Sequence, residues 1–259
     1  MTGNNHKGFI LQDRDRHLLR ELAVMRVIDR EQAKCVAGFG STRRANDRLL
    51  GLTRAGLLRR FFLGTSAGGT KALYALSPTG AELVDVPFRG PRRRQNEILV
   101  ADIFVNHQIH INQIYCALKY RPIPIVEVSF LQWLSFYEPL NADRRLIPDG
   151  YLEVLTPQKT MASFLEVDLG HESLSVWKAK VQKYLRYAVS GNFETRFGLT
   201  QFRVLVIADS ERRMQSLRAA TSNITDKVFW FSTFHSISND GFWSDVWLRA
   251  GDETRRSLL

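Results

Sequence analysis

Long apolar runs are missing from this sequence, cysteine is scarce, and histidine is thin: the 259 residues include two Cys and six His. A helix that crosses a bilayer needs about 18 or more consecutive apolar residues. The longest apolar stretches here are of the size of Val204 to Ala208, so no membrane insertion is expected. The opening MTGNNHKGF has one Lys but neither an apolar stretch nor a small-residue cleavage pattern, which gives no secretory signal. Cys35 and Cys116 both fall in helix-like segments, which excludes a disulfide scaffold and a Cys-ligated zinc site. A cytoplasmic location is the expectation.

What is present is an ordinary globular composition, 44% hydrophobic and 24% charged, in a length that suits one large or two modest domains. The net charge of +10 is unevenly placed. Residues 1–94 hold 18 Lys plus Arg against 8 Asp plus Glu, while residues 95–259 hold 18 of each sign. A basic first segment points to a polyanion, with nucleic acid ahead of a membrane surface because no basic amphipathic anchor is present. The break is Val86-Pro87-Phe88-Arg89-Gly90-Pro91-Arg92-Arg93-Arg94, which cannot continue a helix and has little to pack. Residues 9–86 are therefore read as one domain, 87–94 as a basic linker and 95–259 as a second domain.

In the first segment, Leu18, Leu22 and Met25 form a helical stripe within residues 13–28. Asp29 caps a short helix over 30–37, and Ser41 caps a third with Ala45, Leu49 and Leu52 inward. Two β-rich runs, 57–63 and 71–76, flank a glycine-rich tip and predict a hairpin. Ser77-Pro78 then starts a short helix. Helix, helix, helix, hairpin resembles a winged helix-turn-helix, whose third helix enters the major groove. The resemblance implies DNA contacts from Thr42, Arg43, Arg44, Asn46 and Arg48, with Arg59, Arg60 and Lys71 on or near the wing. Arg92, Arg93 and Arg94 of the linker would add phosphate contacts. The competing reading is a winged helix used for dimerisation.

The second segment reads as a helix over 97–118, strands over 123–130, 146–154 and 163–169, a helix over 175–189, a strand over 202–208, a helix over 210–220 and a strand over 227–234. Its helix, three strands, helix, strand order resembles the PD-(D/E)xK, or restriction-endonuclease-like, fold: a mixed sheet flanked by helices. Strand alternation puts Glu166 and Asp168 on one face, where Asp149 of Pro148-Asp149 can join them. Three converging carboxylates suit a hard divalent ion, Mg²⁺ or Mn²⁺. Such an ion polarises a phosphodiester and activates water. Taken singly, Asp149 reads as a turn residue before Gly150 and Glu166 as the partner of a local Lys; the metal reading rests on the two together in otherwise apolar strands. Where the fold usually has Lys after the acid, this chain has Asp168. Lys180 first, and Lys178 second, can supply the cation from the following helix. The buried stripe of that helix is read as Trp177, Val181, Tyr184, Leu185 and Ala188.

A basic winged helix followed by IPDG, FLEVDLGHESL and KAKVQKYLRY resembles the replication-relaxation family and, within it, the MOB-C class of plasmid relaxases, over roughly residues 10–235. The resemblance implies a site-specific, single-strand-nicking DNA endonuclease that starts conjugative mobilisation at a plasmid transfer origin. Asp149, Glu166 and Asp168 would hold the metal, with Lys180 or Lys178 assisting. Its partners would be double- and single-stranded DNA at the origin, an accessory DNA-binding protein of the relaxosome, and a type IV secretion coupling protein. Histidine-type relaxases need a His cluster, and here His107 and His110 stand i, i+3 on a helix without a third. They are read as helix-face residues, Tyr184 and Tyr187 as core, and His171 and Glu172 as the border of the site. Two other readings are a non-catalytic winged-helix regulator of plasmid replication or transcription with a degenerate nuclease domain, and a restriction-type or repair endonuclease that cuts both strands. Trp243 and Trp247 belong to an amphipathic end segment that packs on the sheet.

Overall fold

The computed structural model describes residues 9–65, 68–91, 94–99, 102–140 and 145–259. It is a mixed α/β structure with two mixed sheets, and it divides into two compact units, residues 1–120 and 121–259.

The first unit starts with α1 (Asp13–Met25), which buries Leu18, Leu19, Leu22 and Met25. β1 (Val27–Asp29) follows directly, and its last residue caps α2 (Arg30–Ala37): Asp29 Oδ1 accepts from Gln32 N at 2.8 Å. Gly38, at φ 62°, ends that helix in the left-handed conformation that glycine tolerates without a Cβ clash. Ser41 caps α3 (Thr42–Arg54), whose buried residues are Ala45, Leu49 and Leu52. β2 (Leu58–Gly64) and β3 (Thr70–Leu76) form an antiparallel hairpin running from Leu58↔Leu76 to Gly64↔Thr70. Ser77 caps α4 (Pro78–Leu83), with Pro78 at the position where its missing N–H costs nothing. β4 (Ile98–Leu99) adds to β2 in parallel, giving the sheet order β1-β3-β2-β4.

α5 (Ile103–Lys119) corrects the domain boundary read from the sequence. The linker signal at 86–94 placed this helix with the second domain, yet it packs on the first unit. Asn112 Nδ2 donates to the carbonyls of Met25 and Val27 at 2.9 and 2.6 Å, and Gln32 Nε2 donates to Ile109 O at 2.7 Å. Val105 and Ile109 enter a core with Val27, Phe61, Leu73 and Ala75. A Pro/Gly/Arg stretch marks irregular chain; it does not say which side its neighbours pack on.

The second unit is a six-stranded sheet in the order β10-β9-β8-β7-β6-β5. β5 (Ser129–Leu134), β6 (Gly150–Leu155) and β7 (Thr160–Asp168) form an antiparallel meander. α6 (Leu174–Val189) and the short α7 (Asn192–Phe197) then return the chain to β8 (Arg203–Ala208), which is parallel to β7. α8 (Glu211–Ser222) leads to β9 (Phe229–Thr233), also parallel; α9 (Phe234–Asp240) and β10 (Leu248–Arg249) complete the order. β5 starts later than the 123–130 expected. One sheet face presents Tyr151, Phe164, Val204, Val206, Phe229 and Phe231 to Trp177, Val181 and Tyr184 of α6 and to Met214 and Leu217 of α8. Tyr187 takes the buried place expected of Ala188, which is exposed. Among the described residues no helix is long and apolar enough to cross a membrane.

Candidate functional site

The strands β7, β8 and β9 run parallel, so their C-terminal ends lie together at one edge of the sheet. In open α/β sheets this edge is where ligands bind. Here it carries the charged residues. Asp149 precedes β6 and is tied to β7 by two bonds: its N–H donates to Leu165 O at 3.1 Å, and its Oδ2 accepts from Val167 N at 2.7 Å. Gly150 packs flat against the Trp133 indole, with a Cβ there falling 2.5 Å from the ring, so no larger residue fits after Asp149.

Glu166 is 2% exposed on the face covered by α6. Its Oε2 accepts from Lys180 Nζ at 3.0 Å and its Oε1 from the Tyr184 hydroxyl at 2.5 Å. Lys180 also reaches Glu172 Oε2 at 3.3 Å. Burial pushes the Glu166 carboxyl up to about 7; Lys180 opposes the rise, Asp149 adds to it, and Tyr184 opposes it. Burial also works against the Lys180 charge, but Glu166, Asp149 and Glu172 outweigh it and hold the ammonium protonated. Lys178, the second lysine proposed from sequence, is exposed, as is His171.

Asp168 departs from the sequence reading. It was expected to join Asp149 and Glu166 around a metal ion, but both its oxygens are taken by a guanidinium fork. Arg213 Nε lies 2.7 Å from Oδ1 and Arg213 Nη2 2.8 Å from Oδ2, while Gly170 N donates to Oδ1 at 2.7 Å. Arg213 Nη2 also bonds Glu172 O at 2.6 Å. A bidentate charged pair of this kind is strong and directional. Among the described residues no group of three or more His, Cys, Asp or Glu side chains is placed to hold a metal. Asp149 and Glu166 supply hard oxygen donors of the kind a divalent cation takes, but Lys180 and Tyr184 occupy both Glu166 oxygens and Val167 N one of Asp149. Asp168 does not fit.

Tyr184 and Arg213 are the site residues that the sequence reading missed. Tyr184 is fully buried, as its place on the helix stripe predicts, but its hydroxyl donates to Glu166. Its place one helical turn after Lys180 was the available signal, because i and i+4 share a face. Arg213 carried no such signal; only the packing of α8 on β8 and β9 brings its first turn to Asp168.

The basic residues of the first unit divide by how they are used. Arg43 and Arg44 are exposed on the first turn of α3, with Arg43 3.9 Å from Asp47, and Thr42 and Asn46 are half-buried beside them. Arg48 does not join that surface. It turns inward to the buried Asp15, with Nε 2.8 Å from Oδ1, and stacks its guanidinium over Phe9 at 4.3 Å. Lys71 pairs with Asp29 at 2.5 Å. Arg59 lies over the Phe88 ring, and Arg60 donates to Asn96 Oδ1 at 2.9 Å. Arg94 is exposed. Arg92 and Arg93 lie outside the described residues. His107 and His110 are half-buried on α5, which belongs to the first unit.

These features define a mixed α/β protein with a basic first unit and a charged strand-end site in the second. The pattern of the replication-relaxation family matches residues 19–201, and the chain belongs to that family. The matched span includes α3, Asp149, Glu166 and Lys180. Membership points to a role in plasmid replication or relaxation. Comparison with curated proteins and with solved structures gives no match.

Proposed function

We propose that this protein is a metal-dependent relaxase that nicks one DNA strand at a plasmid transfer origin and so starts mobilisation. The observation that carries the reading is the cluster of Asp149, Glu166 and Lys180 at the carboxyl end of β7, inside the span shared with the family. Asp149 and Glu166 would hold Mg²⁺ or Mn²⁺, which when bound polarises the phosphodiester and favours formation of a nucleophile. Lys180 would orient an attacking group or offset charge on the scissile phosphate. Tyr184 fixes the Glu166 carboxylate by donating to it, and its full burial keeps it from attacking DNA itself.

The first unit is read as a winged helix that finds the origin. Arg43 and Arg44 on α3 are its leading contacts, and the β2–β3 hairpin is its wing. Contacts of this kind give salt-dependent affinity. An accessory DNA-binding protein and a type IV secretion coupling protein are the proposed partners.

Supercoiled plasmid carrying the origin, incubated with the protein and Mg²⁺ or Mn²⁺, tests the reading. Open circles nicked at one locus are expected, with at least about a hundredfold loss in Asp149→Ala and Glu166→Gln. Linear product would indicate an endonuclease that cuts both strands. One observation favours a second reading, a non-catalytic regulator: Asp168, at the position of the usual lysine, is locked to Arg213. Absence of nicking with any divalent ion, or nicking unchanged in both variants, would establish that alternative over the enzyme.

A further inference from the structure

The sheet of the second unit is polarised along its strands. Carboxylates gather at the carboxyl ends of β7 and β8, and cations stand at the amino ends: Lys159 just before β7, Arg203 opening β8, and Arg249 on β10 beside the start of β9. Arg203 and Arg249 share one aromatic ring. The Arg203 guanidinium lies 5.0 Å from the Trp230 ring centre and that of Arg249 5.8 Å from it.

Neither arginine has a carboxylate partner among the described residues. Arg203 donates to Leu258 O at 2.5 Å and to Met161 Sδ at 3.1 Å, and Arg249 to Asp226 O at 3.3 Å, all neutral acceptors. Two guanidiniums held together without an anion repel one another, and burial and then the Arg249 charge draw the Arg203 pKa below its ordinary value. Elsewhere in this unit partly buried arginines are neutralised: Arg213 by Asp168, Arg218 by Glu253 and Arg255 by Glu211. Next to Arg203, a groove of about 410 Å³ is lined by Lys159, Pro157, Met161 and Ile125.

We infer that Lys159, Arg203, Trp230 and Arg249 form a holding site for a single DNA strand, separate from the cutting site. Cations that track phosphates beside an aromatic or apolar surface that receives bases are the elements by which proteins grip single strands. Arg203 opens β8, three residues or about 10 Å along that strand from Val206, the register partner of Glu166. It is also on the other sheet face, since Arg203 pairs with Ser163 and alternates with Val204 of the α6-covered core. The choice of DNA rests on the proposed nicking function; the position of the site does not.

The test is binding of a labelled oligo-dT of about 20 nucleotides, and of a duplex of equal length, to the full-length protein across a salt series. Arg203→Gln with Arg249→Gln should weaken single-strand binding about tenfold and lower the slope of log K against log salt by about 1.4, the value for two lost phosphate contacts. Duplex affinity should stay within about twofold, because the first unit supplies it. Unchanged single-strand affinity, or an equal fall for strand and duplex, overturns the proposal. If Arg203→Gln does not fold, Arg249→Gln with Lys159→Gln carries the same expectation, a slope change of about 0.7 per residue removed and about 1.4 for the pair. Asp149→Ala should keep full strand affinity while losing nicking, so failure of the holding site and failure of the cutting site read out separately.

Discussion

Each unit contains a buried glutamate held by a lysine and a tyrosine one helical turn apart, and the two glutamates titrate in opposite directions. In the first unit Glu21 accepts from Lys119 Nζ at 2.7 Å and from the Tyr115 hydroxyl at 2.6 Å. In the second Glu166 accepts from Lys180 and Tyr184 at 3.0 and 2.5 Å. Burial raises both carboxyls, but for Glu21 the bonds from Lys119 and Tyr115 and the Lys119 charge outweigh it, and the pKa falls below 4.5. Glu166 rises to about 7 because its burial is complete and Asp149 stands nearby as a second acid.

The contrast separates structure from function. A Glu-Lys-Tyr set by itself ties α5 to α1, as the first unit shows. What marks the second set as a candidate site is the added carboxylate at a strand end. The arginine-aspartate forks make the same point in reverse. Arg48 grips Asp15 in the first unit with the geometry that Arg213 uses on Asp168 in the second. Asp168 is thus better matched to a structural clamp than to a metal ligand.

Four measurements test whether the two sets differ in this way. The largest expected difference is in nicking: Glu166→Gln should lose at least about a hundredfold, while Glu21→Gln should keep activity within about twofold. Equal loss would collapse the distinction. Next is the lysine. Removing one partner of a buried pair leaves an uncompensated charge, so Lys180→Met should cost about 3 kcal/mol at pH 8 in denaturant unfolding. Lys119→Met should cost nearer about 1 kcal/mol, because Lys119 is 33% exposed and Glu21 10%, against 23% and 3% in the second pair.

A smaller effect is expected at the dock of α5. Asn112→Ala leaves two backbone carbonyls without their donor and should cost about 2 kcal/mol, without altering the Glu166 pair. The smallest is the acid limb. The lowered pKa of Glu21 gives stability that is present above about pH 4.5 and is lost as pH falls through the folded value. Glu21→Gln should therefore flatten the loss of stability of the first unit between about pH 5 and pH 3. An unchanged acid limb would show that the Glu21 set contributes nothing.

Much of the fold was legible because local rules govern it. Asp29, Ser41 and Ser77 cap the helices they were expected to cap, and Ala45, Leu49 and Leu52 face inward as their spacing requires. Alternation along β7 placed Glu166 and Asp168 on one face, and the neighbouring register brought Asp149 beside them. The side on which α5 packs was not legible, since a helix with several apolar faces can serve either neighbour. Nor was the inward turn of Arg48: an exposed and a buried arginine on one helix look alike until Asp15 is known to lie beneath one of them.

The order of residues sets the concentration of positive charge before residue 95, the period of each main helix and strand, and the chemical types available at the site. Those properties follow from neighbours along the chain. Tertiary structure alone decided which charges meet. It paired Asp168 with Arg213, 45 residues later, left Arg203 and Arg249 without an acid among the described residues, and placed Asp149 close enough to Glu166 to raise its pKa. Coulomb energy and desolvation depend on distance through space and on burial, and neither quantity is written in the order of residues.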